Sequence, residues 1–103
     1  MSKVITYKNE GAKGVFSQIK LNSGERILIS IGDNIIKIYK LGLFGAIPTK
    51  TIWQYPNFRE FFDLLGYKKH PLDVFVDMAK ESGSIAELCG KADEFVNNLK
   101  RGK

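Results

Sequence analysis

A chain of 103 residues, 44% apolar and 26% charged, has the length and make-up of one folded domain with its own core, which excludes a largely disordered chain. Its single cysteine, Cys89, excludes an internal disulfide framework, and no apolar run approaches the ~20 residues of a membrane-spanning helix. The net charge of +5 sits in one half: residues 1–56 carry eight Lys and Arg against three Asp and Glu, whereas residues 57–103 carry eight of each.

The first half reads as strands. Val4–Tyr7 is short and β-prone and ends at Glu10-Gly11-Ala12-Lys13-Gly14. Val15–Leu21 is a second strand, closed by the turn Asn22-Ser23-Gly24. In Arg26–Ile31 the isoleucines at 27, 29 and 31 alternate onto one face, leaving Arg26, Leu28 and Ser30 on the other. Gly32-Asp33-Asn34 predicts a tight hairpin, because these residues tolerate positive φ. Ile35–Leu41 returns, with Ile36 and Ile38 opposed to Ile35, Lys37, Tyr39 and Leu41. The stretch Leu41–Pro48 is a loop by its glycines and proline, yet unusually apolar. Thr49–Tyr55 is a further strand, with Thr51, Trp53 and Tyr55 on one face and Ile52 on the other. Short connections favour an antiparallel meander, since parallel strands need long crossovers.

After Pro56 the apolar period becomes helical. Asn57 caps a first helix with Glu60 three residues on, Phe58, Phe61, Phe62 and Leu65 form its stripe, and Gly66 stops it. Pro71 opens a second helix bearing Leu72, Phe75, Val76 and Ala79, and Ser82-Gly83 ends it. Ser84 and Glu87 form a capping box for a third, whose apolar face runs through Ile85, Leu88, Cys89, Ala92, Phe95, Val96 and Leu99. Lys100 and Arg101 complement its C-terminal dipole. The expectation is a single α+β domain over residues 1–103. An antiparallel sheet of four to five strands (1–55, β-rich and basic) is followed by three helices (57–101) packed on one face.

Chemistry-bearing residues are few. His70, Asp73 and Asp77 share one helical face, but a helix cap, a first-turn acid and a solvated surface account for them without a metal. Cys89 lies within an apolar stripe, where cysteine behaves as a small hydrophobe. Two Gly-x-x-Gly segments, at Gly11–Gly14 and Gly42–Gly45, lie between predicted strands. The backbone clamp of KH domains, which uses such a loop, joins helices instead. No Walker or dinucleotide-binding motif is present. The expectation is a non-catalytic protein without cofactor or metal. The N-terminal Met1–Lys8 lacks the apolar run of a signal peptide, so a cytoplasmic location is expected.

In Arg26–Trp53 a basic strand runs into a Gly-Leu-Phe-Gly turn within Tyr39–Gly45. This stretch resembles the bacterial pleckstrin-homology-like domains, over less than a third of the chain. Three predicted terminal helices exceed the single closing helix of that family, and no function is carried over from it.

Two surfaces suggest partners. Leu43, Phe44 and Ile47, with Trp53 nearby, form an apolar cluster of the kind that marks a protein contact, most simply a homodimer. Phe16, Lys20, Arg26, Lys37 and Tyr39 interleave aromatic and basic side chains on one sheet face, the pattern that stacks bases and neutralises phosphates. Leu28, Ile35 and Leu41 on that face predict its partial burial, by a helix or a second subunit. The leading expectation is a small interaction module that self-associates or binds a protein. The alternative is a nucleic-acid-binding domain using the basic sheet.

Overall fold

The computed structural model describes residues 3–9, 14–42 and 48–102, the first of these segments as backbone alone. Alternating isoleucines determine its plan. Strands β1 (Lys3–Asn9), β2 (Gly14–Lys20), β3 (Arg26–Gly32), β4 (Ile35–Leu41) and β5 (Pro48–Tyr55) form one antiparallel sheet in the order β1-β2-β3-β4-β5. Along β3 and β4 the inner positions Ile27, Ile29, Ile31, Ile36 and Ile38 are buried, while Leu28, Ser30, Ile35, Lys37 and Tyr39 are only half-buried. Because side chains alternate along a strand, this one pattern fixes which face the helices cover.

Helices α1 (Phe58–Leu65), α2 (Pro71–Lys80) and α3 (Ile85–Arg101) supply the second layer. Each starts on a side-chain cap that satisfies an otherwise orphaned N–H. Asn57 Oδ1 accepts from Glu60 N at 3.0 Å, His70 Nδ1 from Leu72 N at 3.1 Å, and Ser84 Oγ from Glu87 N at 3.3 Å. Gly66 takes the left-handed conformation, φ 74°, that ends α1. The helix α2 stops at Glu81, one residue before the expected Ser82-Gly83. The apolar stripes meet the sheet in one cluster. Phe61 and Phe75 lie at its centre, fully buried with ring centroids 5.4 Å apart, and Leu88, Ala92 and Val96 close it from α3.

Both ends of the sheet are tied to helix starts. The β3–β4 hairpin turns on Asp33 (φ 51°) and Asn34 (φ 64°), the paired positive φ of a two-residue primed turn. Asn34 reaches α1: its carbonyl accepts from Phe58 N (2.8 Å), Oδ1 from Arg59 N (2.8 Å), and Nδ2 donates to Asn57 Oδ1 (3.3 Å). At the other end, Glu25 Oε1 accepts from Ser23 Oγ (2.8 Å) and from Ile85 N at the start of α3 (3.2 Å). The Ser23 hydroxyl and then the Ile85 amide hold the Glu25 carboxyl below its ordinary pKa. Asn34→Gly keeps the turn geometry and removes only the side-chain bonds. It is expected to lower the unfolding free energy by about 1–2 kcal/mol in urea denaturation, whereas a turn-only role predicts no change or a slight gain.

Two face assignments expected in β5 differ from the structure, those of Thr51 and Ile52. In β5 the register slips between Ile38↔Trp53 and Tyr39↔Thr51, so Ile52 is a bulge residue. Trp53 and Tyr55 keep the inner face, but Thr51 opposes Tyr39 on the outer one, and Ile52 packs against the core instead of facing away from it. Leu41, expected on the outer face, is buried but is not part of the core cluster.

Candidate functional site

Directly opposed residues of an antiparallel ladder share a face. The outer face can therefore be read as rows across β2, β3, β4 and β5. One row is Phe16, Ser30, Lys37 and Gln54, the next is Gln18, Leu28, Tyr39 and Thr51, and a third pairs Lys20 with Arg26. All five residues expected to form a basic and aromatic surface, Phe16, Lys20, Arg26, Lys37 and Tyr39, therefore lie together. Strand spacing and rise place Phe16 and Tyr39 about 12 Å apart on strands two removed from each other. The backbone of β1 extends the rows, with Tyr7, Ile5 and Lys3 at register positions opposite Phe16, Gln18 and Lys20.

The helices leave this face alone, since their apolar stripes all join the cluster on the other side. Leu28 and Ile35 are partly buried and Leu41 is buried, as expected, but of the two covers expected, a helix or a second subunit, the helix layer lies on the other face. Phe16, Leu28, Ile35, Lys37 and Tyr39 are half-buried, and Lys20 and Arg26 are exposed. None of Lys20, Arg26 and Lys37 forms an ion pair with a described residue; the salt bridges among the described residues are Lys69–Asp77 and Lys91–Glu87 on the helical side. Charge on the face is thus positive, with Asp33 at the hairpin the acid beside it.

A shallow cleft of about 170 Å³ opens on the same face, lined by Ser30, Gly32, Asp33, Ile35, Lys37 and Tyr39. It exists because the outer positions of β3 shrink to Ser30 and then Gly32, while β4 carries Ile35, Lys37 and Tyr39 alongside. Ser30, Gly32 and Asp33 were not singled out as site residues from sequence. The signal that finds them is pairing: small residues on one strand opposite large ones on the next.

Of the apolar contact candidates, Leu43, Phe44 and Ile47 lie outside the described residues. Trp53 is half-buried on the inner face. Its ring stacks obliquely on Phe75 (centroids 5.1 Å), and Nε1 donates to Asp93 Oδ1 at 2.8 Å. Tyr55 beside it donates to Glu60 Oε1 at 2.6 Å and lies under the Lys100 ammonium. Burial, with the Glu60 carboxylate as acceptor, pushes its phenol up to about 12.

The remaining chemical groups are engaged structurally. His70 caps α2 through Nδ1, and Asp77 pairs with Lys69. Among the described residues no three His, Cys, Asp or Glu side chains gather as a metal site requires. Cys89 Sγ lies 3.6 Å from the Ile52 carbonyl, and burial, then Asp93, push the thiol above its ordinary pKa, away from a nucleophilic thiolate. No described helix is long and apolar enough to cross a membrane. No family model, no curated protein and no solved structure matches the chain, so the likeness of Arg26–Trp53 to pleckstrin-homology-like domains rests on that stretch alone.

Proposed function

We propose that the protein is a non-catalytic binding module whose outer sheet face takes single-stranded nucleic acid. The observation that carries this reading is a sheet face left open by the helices, where half-buried aromatic rings alternate with three cations that have no described ion-pair partner. Bases stack on aromatic rings without regard to sequence, and extended phosphates follow lysines and arginines. A flat sheet suits a strand whose bases are splayed out, and duplex, which hides its bases, would use the charges alone.

Docking of a protein is the second reading, favoured by Leu28 and Ile35 on the open face. A second copy fits it less well. Two-fold packing through this face would bring together two copies of the cationic set Lys20, Arg26 and Lys37, and like charges held close are costly.

The test is fluorescence anisotropy with labelled eight-nucleotide single strands and with a matched duplex. Single strands are expected to bind more tightly than duplex at 0.05 M salt. The logarithm of affinity should fall with the logarithm of salt at a slope near −2, about 0.7 for each of three neutralised phosphates. Sedimentation velocity is expected to show a monomer across the accessible concentrations. Absence of binding at low salt, together with a concentration-dependent dimer, would replace this reading with the docking one.

A further inference from the structure

We propose that the cleft beside Tyr39 seats one nucleobase of the bound strand and selects for a base carrying an exocyclic amino group. This rests on the reading of the outer face as a single-strand surface and adds to it a position at which base identity counts.

The lining groups divide by role. Gly32 has no side chain and Ser30 a short one, so a flat ring can approach the β3 backbone there. Tyr39 and Ile35 line the cleft along β4, an aromatic and an aliphatic side chain of the kinds that pack on a base. Three residues with polar side chains line the space: Ser30 with a hydroxyl, Asp33 with a carboxylate and Lys37 with an ammonium. None has a hydrogen-bond or ion-pair partner among the described residues. The structural work of the hairpin falls on Asn34, which points to α1, so Asp33 carries no side-chain bond that the fold requires.

Their chemistry is complementary to a nucleotide. Lys37 is three donors on a flexible stem and suits a phosphate. The Asp33 carboxylate only accepts hydrogen bonds. It therefore favours the amino group of cytosine, adenine or guanine and opposes the carbonyl oxygen that uracil and thymine present at the corresponding edge. Ser30 donates or accepts and does not discriminate. An acidic side chain within a cationic surface would weaken a site made only for phosphate, whereas it gains a purpose once a base is read there.

Cytosine and uracil differ in the group at C4, amino against carbonyl, and with it at N3, bare against protonated; only cytosine offers an exocyclic amino group, so the probes are deoxycytidine and deoxyuridine octamers. The wild type is expected to bind the deoxycytidine octamer at least threefold more tightly. Asp33→Asn, which tolerates the same positive φ and can both donate and accept, should bring that ratio close to one without changing the thermal midpoint. Tyr39→Ala should weaken both octamers alike. Equal binding of the two octamers by the wild type, or a ratio unchanged by Asp33→Asn, would overturn the cleft while leaving the single-strand surface standing. Failure of the wild type to bind either octamer at low salt would overturn both. A preference confined to inorganic phosphate or free mononucleotide phosphate would identify an anion subsite and overturn base selection.

Discussion

Phe75→Ala is expected to be the most destabilising single truncation, lowering the unfolding free energy by about 3–5 kcal/mol. Phe75 is fully buried and lies where the layers meet, 5.1 Å from the Trp53 ring of the sheet and 5.4 Å from the Phe61 ring of α1. Small domains are stable by only about 5–15 kcal/mol, so this removes a large share of the whole. At roughly 4–8 °C per kcal/mol for a chain of this size, the thermal midpoint should fall by more than about 10 °C. Tyr39→Ala is the matched control. It also removes an aromatic ring from a central position of the sheet, but from the outer face, where it is half-buried, and a loss near 1 kcal/mol is expected. Urea denaturation of the two variants compares the faces directly. Equal losses would mean that the outer face is covered as thoroughly as the inner one, and the two-layer arrangement would be wrong.

The two-layer plan was legible because local signals agreed. Ile27, Ile29 and Ile31 alternate without interruption, Asp33-Asn34 suits a primed turn, and Asn57, Pro71 and Ser84 mark helix starts that the structure uses. Alternation failed in β5, at a register shift. A bulge adds a residue to one strand only, so it inverts the facing of everything beyond it, yet it leaves no mark in the composition of the strand. Thr51 and Ile52 depart from strict alternation for that reason. His70 shows another limit: an imidazole that caps a helix and one poised as a ligand have the same sequence context, and the bond from Leu72 N distinguishes them.

The candidate surface was legible as a set of residues but not as a site. Phe16, Lys20, Arg26, Lys37 and Tyr39 follow from alternation. Their adjacency depends on the pairing Phe16↔Ser30↔Lys37 and Lys20↔Arg26, which only the three-dimensional register supplies. The cleft was further hidden, because it is defined by what Ser30 and Gly32 lack. Trp53 posed the opposite problem. Close in sequence to an apolar loop, it reads as a possible contact residue, yet its indole N–H finds Asp93 on α3, forty positions away.

Neutralising the three outer-face cations together should have the largest effect on binding. At 0.05 M salt each single-strand phosphate contact contributes about eightfold in affinity, from a slope near 0.7 per contact, so Lys20→Ala, Arg26→Ala and Lys37→Ala combined should cost about 500-fold. The same relation predicts that the loss shrinks to about 50-fold at 0.15 M, because less is gained by releasing counterions into a saltier solution. The fold should survive, since Lys20 and Arg26 are exposed and none of the three makes an ion pair with a described residue. The control removes the same charge from the helical half: Lys68, Lys80 and Arg101, all exposed, changed to alanine together. If net charge alone drives association, the two triple variants lose affinity equally. If the sheet face is the contact surface, the helical variant stays within about threefold of wild type and keeps the wild-type salt slope, while the sheet variant approaches a slope of zero. A sheet variant that binds as tightly as the wild type at both salt concentrations would remove the outer face from consideration as a nucleic-acid surface. Its half-buried apolar residues, Leu28 and Ile35, would then point to a protein partner.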